Sequence, residues 1–273
     1  YQKRYLAFFT RNYSIWHSLN QFPSHFPNKR TIQILTVHDL NFLIEKSKAK
    51  GLQYLKALQK NIDRADYITS ISYNTKIILE ENINLSGKKV RVIYNGISVN
   101  ETIDTIKPKY VGRSKFFFSI GKFTRKKNFH VLLPLMKHFE DFQLILAGDN
   151  KTSYGSEIKA QIDSLNLKDK VILPGMISDS DKYWLYSNCE AFLFPSLAEG
   201  FAMPVIEAMR FGKPVFLSNI EVLHEIGSDK AYYFDCFDDT FMSSFINQKL
   251  SLFYNDQINL VKAIKEYARK FDW

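Results

Sequence analysis

The run Ala191-Phe192-Leu193-Phe194-Pro195-Ser196-Leu197-Ala198-Glu199-Gly200-Phe201-Ala202-Met203-Pro204-Val205-Ile206-Glu207-Ala208-Met209-Arg210-Phe211-Gly212-Lys213-Pro214-Val215 reads as a strand, a loop, a helix and the start of another strand. Ala191 to Phe194 is the short apolar run of a buried strand. Pro204 suits the first helical position, where its missing N–H costs nothing, and Gly212 followed by Lys213-Pro214 ends the helix. Within it Val205, Ala208, Met209 and Gly212 share one face, which predicts that Glu207 points away from the core. Glu207 then sits in the first two turns, close to the loop carrying Glu199, and both carboxylates are expected to line one cleft. Backbone N–H groups at the helix start, with Gly200 allowing close approach, form an anion site suited to a phosphate. As a spacing alone the pair is weak, because an acidic residue near a helix start is often only a dipole complement.

Outward from this run, short β-branched or aromatic stretches alternate with longer amphipathic ones, the pattern of βα units around a parallel sheet. Strands are expected at 32–37, 67–70, 90–94, 116–120, 142–147, 171–173, 191–194 and 215–217. Between Ile97 and Ser114 the pattern dissolves into a polar stretch, read as an interdomain linker. The expected domains are residues 1–108, a partial N-terminal unit, and 109–273, a C-terminal unit. The first has only about three expected strands where such sheets usually have five or six. It is therefore read as incomplete, and the second as cut at its end.

With 273 residues, 45% hydrophobic and 24% charged, the chain can bury a substantial core. The formal charge of +9 favours anionic partners: nucleotides, nucleic acid or an acidic membrane surface. No nucleic-acid recognition motif accompanies it, so nucleic acid is not expected as a partner. Two cysteines, Cys189 and Cys236, without metal-like spacing argue against a disulfide framework or zinc site and favour a reducing cytoplasm. No apolar run is long enough to span a bilayer. The absence of a P-loop, a GxGxxG or a Ser/His/Asp set weakens kinase, oxidoreductase and hydrolase readings.

A second cluster follows the expected strand 116–120: Gly121-Lys122-Phe123-Thr124-Arg125-Lys126-Lys127-Asn128, then an expected amphipathic helix from about Phe129 to His138. A basic loop at a strand end can hold a diphosphate and stabilise the charge that builds on it as a bond breaks. It can equally be a solvated charge run. Asp179-Ser180-Asp181 has the Asp-x-Asp form of a metal site, but it follows a turn and opens a helical run, so capping accounts for it better. His38, in Thr36-Val37-His38-Asp39-Leu40, stands at a strand end, where a lone histidine is commonly structural; Asp39 is read as a neighbouring cap.

The run 194–215 resembles the signature of glycosyltransferase family 4, retaining enzymes of the GT-B fold that carry an E-x7-E motif in this context, here of the bacterial surface-glycan type. The resemblance implies an α/β GT-B architecture of two Rossmann-like domains facing a cleft. It implies that Glu199 contacts hydroxyls of the donor sugar and Glu207 the ribose hydroxyls, while the amides of Gly200, Phe201 and Ala202 approach the sugar and diphosphate. Carboxylates suit these tasks because each accepts two hydroxyl hydrogen bonds. The loop from Gly121 is similar to the family's, with Lys122 and Lys127 at its two basic positions. Lys122 departs from the usual Arg and lacks its planar fork. His38 matches the histidine that faces the donor sugar, the turn around Gly175 matches the place where the nucleobase is read, and Ile15 to Gln21 looks like an edge segment that could face the acceptor.

The implied activity is transfer of a sugar from a nucleotide-diphosphate donor to a glycan or lipid-linked hydroxyl, with no cofactor and no metal. The catalytic set is Glu199, Lys127, Lys122 and His38. An anionic membrane surface is a further partner compatible with the charge and with the aromatic-rich stretch Tyr5 to Phe26, which would place the enzyme at the inner membrane face. The alternatives are a GT-B-like sugar-nucleotide epimerase and a non-catalytic nucleotide-sugar-binding module.

Overall fold

Runs such as Phe116-Phe117-Phe118 and Ala191-Phe192-Leu193-Phe194 have no polar alternation, and such stretches are stable only with both sheet faces covered. The computed structural model describes residues 13–28, 30–98, 105–113 and 115–273 and covers them in this way. The chain divides into two compact units. One takes in the described residues up to Asn95 together with Glu199–Phe201; the other comprises Gly96–Ala198 and Ala202–Trp273.

The first unit contains, in chain order, β1 (Ile15–Ser18), β2 (Ile32–Val37), α1 (Phe42–Glu45), α2 (Lys48–Arg64), β3 (Tyr67–Ser70), α3 (Tyr73–Asn82) and β4 (Val90–Val92). Its strands form a parallel sheet in sequential order. Leu35, Val37, Leu58, Ile62, Ile68 and Leu79 make its core. Strand β1 lies at one edge of the described sheet, in the segment read as an edge of this domain but not as a strand. Its alternating half-buried side chains carry no continuous apolar run.

The second unit contains β5 (Lys115–Ile120), α4 (Leu132–Leu135), β6 (Phe142–Ala147), α5 (Ser153–Ser164), β7 (Val171–Gly175), α6 (Asp179–Asn188), β8 (Ala191–Phe194), α7 (Met203–Arg210), β9 (Val215–Ser218), α8 (Glu221–Gly227), β10 (Tyr232–Phe234), α9 (Asp239–Asn255) and α10 (Gln257–Ala268). The parallel sheet runs β10-β9-β8-β5-β6-β7. The chain therefore starts at the centre with β5, builds outward to β7, and returns to lay β8 against the other side of β5. That reversal makes a topological switch point between β5 and β8, and crevices at such points hold ligands beyond the carboxyl ends of the strands. Four caps fix helix starts in the two units: the side chains of Ser72, Thr152, Ser178 and Asp238 accept backbone N–H bonds at α3, α5, α6 and α9, each worth about 1 kcal/mol.

Two expectations need correction. The amphipathic helix expected over 129–138 is a 3-10 turn, the short helix α4 and a second 3-10 turn. Pro134, inside α4, has no N–H to donate, and Phe129, Leu132, Leu133, Leu135 and Met136 are all fully buried, so the segment lies within the core. The linker read over 97–114 is packed at both ends of its described part. The buried Ile97 donates its N–H to Phe271 O at 2.8 Å, and Val111 is 3% exposed. Residues 99–104 and Ser114 lie outside the described residues, as do Tyr5 to Asn12 of the aromatic-rich stretch.

Strand ends β5 and β6 meet without side chains. Gly148 has φ +124°, and a Cβ there would lie 2.1 Å from Gly121 O. At Gly175, also at positive φ (+78°), a Cβ would meet only Asn150 Oδ1 at 3.9 Å. Gly148→Ala is therefore expected to cost upwards of ~3 kcal/mol, against about 1 kcal/mol for Gly175→Ala, which bears the backbone cost alone. Urea denaturation followed by the fluorescence of Trp184, which stacks on Phe116 at 5.8 Å, measures both. Equal losses would contradict the close approach.

Candidate functional site

The basic loop follows β5 and the Glu199 to Glu207 run follows β8, so both clusters leave the carboxyl ends of the two strands that flank the switch point. In the second unit the structure joins the loop to the start of that run. Leu197 N–H donates to Lys126 O at 2.7 Å. Lys127 lays its ammonium 4.5 Å from the centre of the Phe194 ring, a cation–π contact. Its stem passes over Gly121, where a Cβ would come 2.9 Å from Lys127 Cε. Gly121 thus gives the lysine its path across the strand end. The loop is closed by Asn128 in the left-handed region (φ 56°), which asparagine tolerates.

Of the loop's other cations, Lys122 is exposed and lies 3.8 Å from the Asp149 carboxylate, just after β6. Arg125 is paired with Glu157 at 2.6 Å and lies over the Tyr154 ring. The loop is therefore not a uniform charge run, because Lys122, Arg125 and Lys127 each meet a different neighbour. Gly175 ends β7 and accepts the Gly148 N–H at 2.8 Å, so Gly121, Gly148 and Gly175 lie at the ends of three adjacent strands.

Helix α7 begins at Met203, with Pro204 at its second position. Ala202 before it is held at φ 69°, ψ 51°, an uncommon conformation for a residue with a Cβ. Strain of this kind persists where the surroundings over-determine it. The helix start is poorer in donors than the sequence suggests. Pro204 has no N–H, and that of Val205 goes to Ala202 O at 3.0 Å, so the amides it could present are those at and before Met203.

Glu207 also departs from expectation. It does not simply point away from the core, since its side chain is only 21% exposed. The buried Tyr186 hydroxyl donates to Oε2 at 2.9 Å and Lys182 Nζ to Oε1 at 3.4 Å. Burial and the Glu207 charge hold the Tyr186 phenol well above the ordinary tyrosine value, so it stays protonated and donates to the carboxylate. Burial opposes the charge on Lys182, but Glu207 and Asp179 outweigh it and raise that lysine above its usual range. The sequence reading missed Tyr186 and Lys182. Their spacing of four on one helix, both facing a carboxylate on the next, was the available signal.

The Asp-x-Asp pair is engaged by neighbours. Asp179 pairs with Lys182 at 3.0 Å, and Asp181 accepts from the Tyr110 hydroxyl at 3.0 Å. The cap of α6 is Ser178, whose hydroxyl accepts from Asp181 N–H at 3.1 Å.

In the first unit, His38 follows β2. Its Nε2 lies 2.6 Å from Leu19 O; a carbonyl only accepts, so Nε2 carries the proton. The buried Gln21 side chain spans the same segment, accepting from His38 N–H at 3.1 Å and donating to Asp39 O at 2.9 Å. Asp39 Oδ1 accepts from Asn41 N–H at 2.9 Å, a local turn into α1. Glu199, Gly200 and Phe201 belong to this unit. Ser72 Oγ donates to Gly200 O at 2.9 Å, Phe201 packs on Tyr94 at 5.5 Å, and a Cβ on Gly200 would come 2.5 Å from His38 O. The unit thus brings His38 and Gly200 together.

Beside the basic loop, burial and the Arg125 charge push His130 below the usual histidine value. A histidine depressed in the folded state contributes stability that is full above its unfolded value, about 6.5, and is lost as pH falls through the lower folded value. His130→Gln is expected to narrow the gap between urea midpoints at pH 7 and pH 5. An unchanged gap would exclude this contribution.

Residues 101–271 match the family described as glycosyl transferases group 1. The chain is 31% identical over 202 residues to the O-antigen chain mannosyltransferase RfbU of Salmonella typhimurium, covering 74% of this chain and 56% of that protein. It therefore spans little more than half the length of this relative. Among solved structures, the fold matches Anabaena HepE in complex with UDP and glucose (TM-score 0.77, 17% identity, 98% of this chain and 76% of that one). It also matches the sucrose-phosphate synthase of Thermosynechococcus elongatus (TM-score 0.76, 20% identity, 96% and 70%). Nothing in these likenesses favours the epimerase or binding-module alternatives. With its two parallel-sheet Rossmann-like units of GT-B type, this chain belongs to the group 1 glycosyl transferases.

Proposed function

We propose that the protein to which this chain belongs is a retaining, metal-independent glycosyltransferase that moves a hexosyl group from a nucleoside-diphosphate sugar to a hydroxyl of a glycan or lipid-linked acceptor. The observation that carries this reading is the convergence on the β5–β8 switch point of the Lys127 loop and the run that opens at Phe194. Family membership and the likeness to an O-antigen mannosyltransferase support it.

In this reading Lys122 and Lys127 face the diphosphate and stabilise the charge that grows on it as the anomeric C–O bond breaks. Glu199 accepts hydroxyls of the donor sugar, Glu207 accepts those of the ribose, and the amides of Gly200, Phe201 and Ala202 approach the sugar and diphosphate. The strand-end turns at Gly121 and Gly175 leave room for the diphosphate and the nucleobase. His38, with Nε2 spent on Leu19 O, offers the sugar its remaining ring nitrogen. The acceptor oxygen attacks on the face from which the diphosphate leaves, and its proton passes to a phosphate oxygen. One C–O bond forms as one breaks, and the anomeric configuration is kept.

The test is sugar transfer from a panel of nucleotide sugars by the full-length protein. Glu199→Ala and Lys127→Ala are each expected to lower kcat/KM by about 10²-fold or more. Unchanged activity in both variants would overturn the site assignment.

The acceptor reading extends to an anionic bilayer at the cytoplasmic face of the inner membrane. Segment 46–64 carries Lys46, Lys48, Lys50, Lys56, Lys60 and Arg64 against the single acid Asp63, with Leu52 and Tyr54 exposed among them. Among the described residues no helix is long and apolar enough to cross a membrane, so any contact made by this segment is peripheral. Co-sedimentation with anionic vesicles is expected to exceed that with neutral ones and to fall in Lys56→Glu/Lys60→Glu. Equal binding to both vesicle types would remove the membrane from the proposal.

A further inference from the structure

Among the described residues, both side-chain partners of Glu207 come from α6. Tyr186 and Lys182, one turn apart on α6, each engage a different oxygen of its carboxylate, at 2.9 and 3.4 Å. The grip is stiff at its tyrosine end. Tyr186 is fully buried, stacked on Phe211 at 5.8 Å and 12° and packed edgewise on Phe118 at 5.1 Å and 72°. Its ring cannot turn without repacking these neighbours, so its hydroxyl is a fixed point. The lysine end is shared, because Asp179 holds the same ammonium at 3.0 Å.

A carboxylate has about four lone-pair sites. Contacts from α6 take one site on each oxygen, which leaves each oxygen of this partly exposed group a further acceptor site. Two adjacent acceptors with a fixed spacing match two vicinal hydroxyls. If satisfying the Tyr186 hydroxyl were the only requirement, a neutral acceptor would serve without the cost of a half-buried charge.

We infer that Tyr186 and Lys182 are positioning residues that lock the Glu207 carboxylate so that its two oxygens accept the cis-diol of a ribose. This rests on the reading of Glu207 as the ribose-binding residue, and it adds the pair that gives that residue its selectivity for ribo- over deoxyribonucleotides.

The test is calorimetric binding of UDP, GDP and their 2′-deoxy forms to the full chain. The unaltered chain is expected to prefer a ribonucleotide by about 10-fold, as one charge-assisted hydrogen bond would give, and Glu207→Ala to abolish that preference. Tyr186→Phe keeps the buried ring, and Lys182→Met keeps most of the stem. Each is expected to weaken ribonucleotide binding about 3- to 10-fold and the 2′-deoxy form, which keeps one of the two hydroxyls, distinctly less. Neither is expected to weaken binding further in a Glu207→Ala background. Should Tyr186→Phe not fold, Lys182→Met alone decides. If Glu207→Ala abolishes the preference while the α6 variants retain it, or lower both forms alike, the positioning role is overturned and the reading of Glu207 stands. Failure of the unaltered chain to bind or to discriminate, or a preference that survives Glu207→Ala, would overturn the reading of Glu207 and the inference with it.

Discussion

The second unit depends on where the chain goes after β7. Having reached one edge of its sheet, it returns to the centre and pairs β8 with β5, which forces two neighbouring strands to send their following loops apart. A crevice then opens at the carboxyl end of the sheet without any residue having to build it. The pairing that sets it is short and wholly apolar: Phe117 beside Ala191 and Phe118 beside Phe192. Burial of those side chains, together with the backbone hydrogen bonds of the pairing, fixes where the basic loop and the glutamate run emerge.

The loops are then trimmed by what the strand ends lack. Gly121 and Gly148 approach each other as bare backbone, and Lys127 crosses the place where a Cβ of residue 121 would stand. The ammonium comes to rest against Phe194, an aromatic face that attracts a cation. Arg125, one turn earlier, is held by Glu157. Basic residues of similar appearance in the sequence thus acquire different neighbours through packing.

The sheet of the second unit was largely legible because its strands are continuous apolar runs, and β6 and β8 fall on the residues expected. The cap-and-stop pattern around Pro204 and Gly212 gave α7 to within a residue at its start. What was not legible has physical causes. β1 and β10 are short and lie at sheet edges, with half-buried side chains and weak periodicity. The 129–138 segment has a helical composition but is buried nearly throughout, and its proline breaks the ladder. The partners of Glu207 come from another helix, and no periodicity within α7 reveals a tyrosine packed beneath it. Neighbours were readable where they lay in one contiguous run, and unreadable where two elements had to be brought together.

The second unit also has a seam. Ile97 bridges Asp272, Arg210 pairs with Asp272 at 2.9 Å, and the Trp273 ring lies so close to Gly96 that a Cβ there would be 2.4 Å from it. Residues 96–97 and 271–273 are therefore joined side by side. Arg210 closes α7, the helix that carries Glu207, so the same seam anchors the far end of that helix. Loosening either segment would release one anchor of the helix that holds the candidate carboxylate.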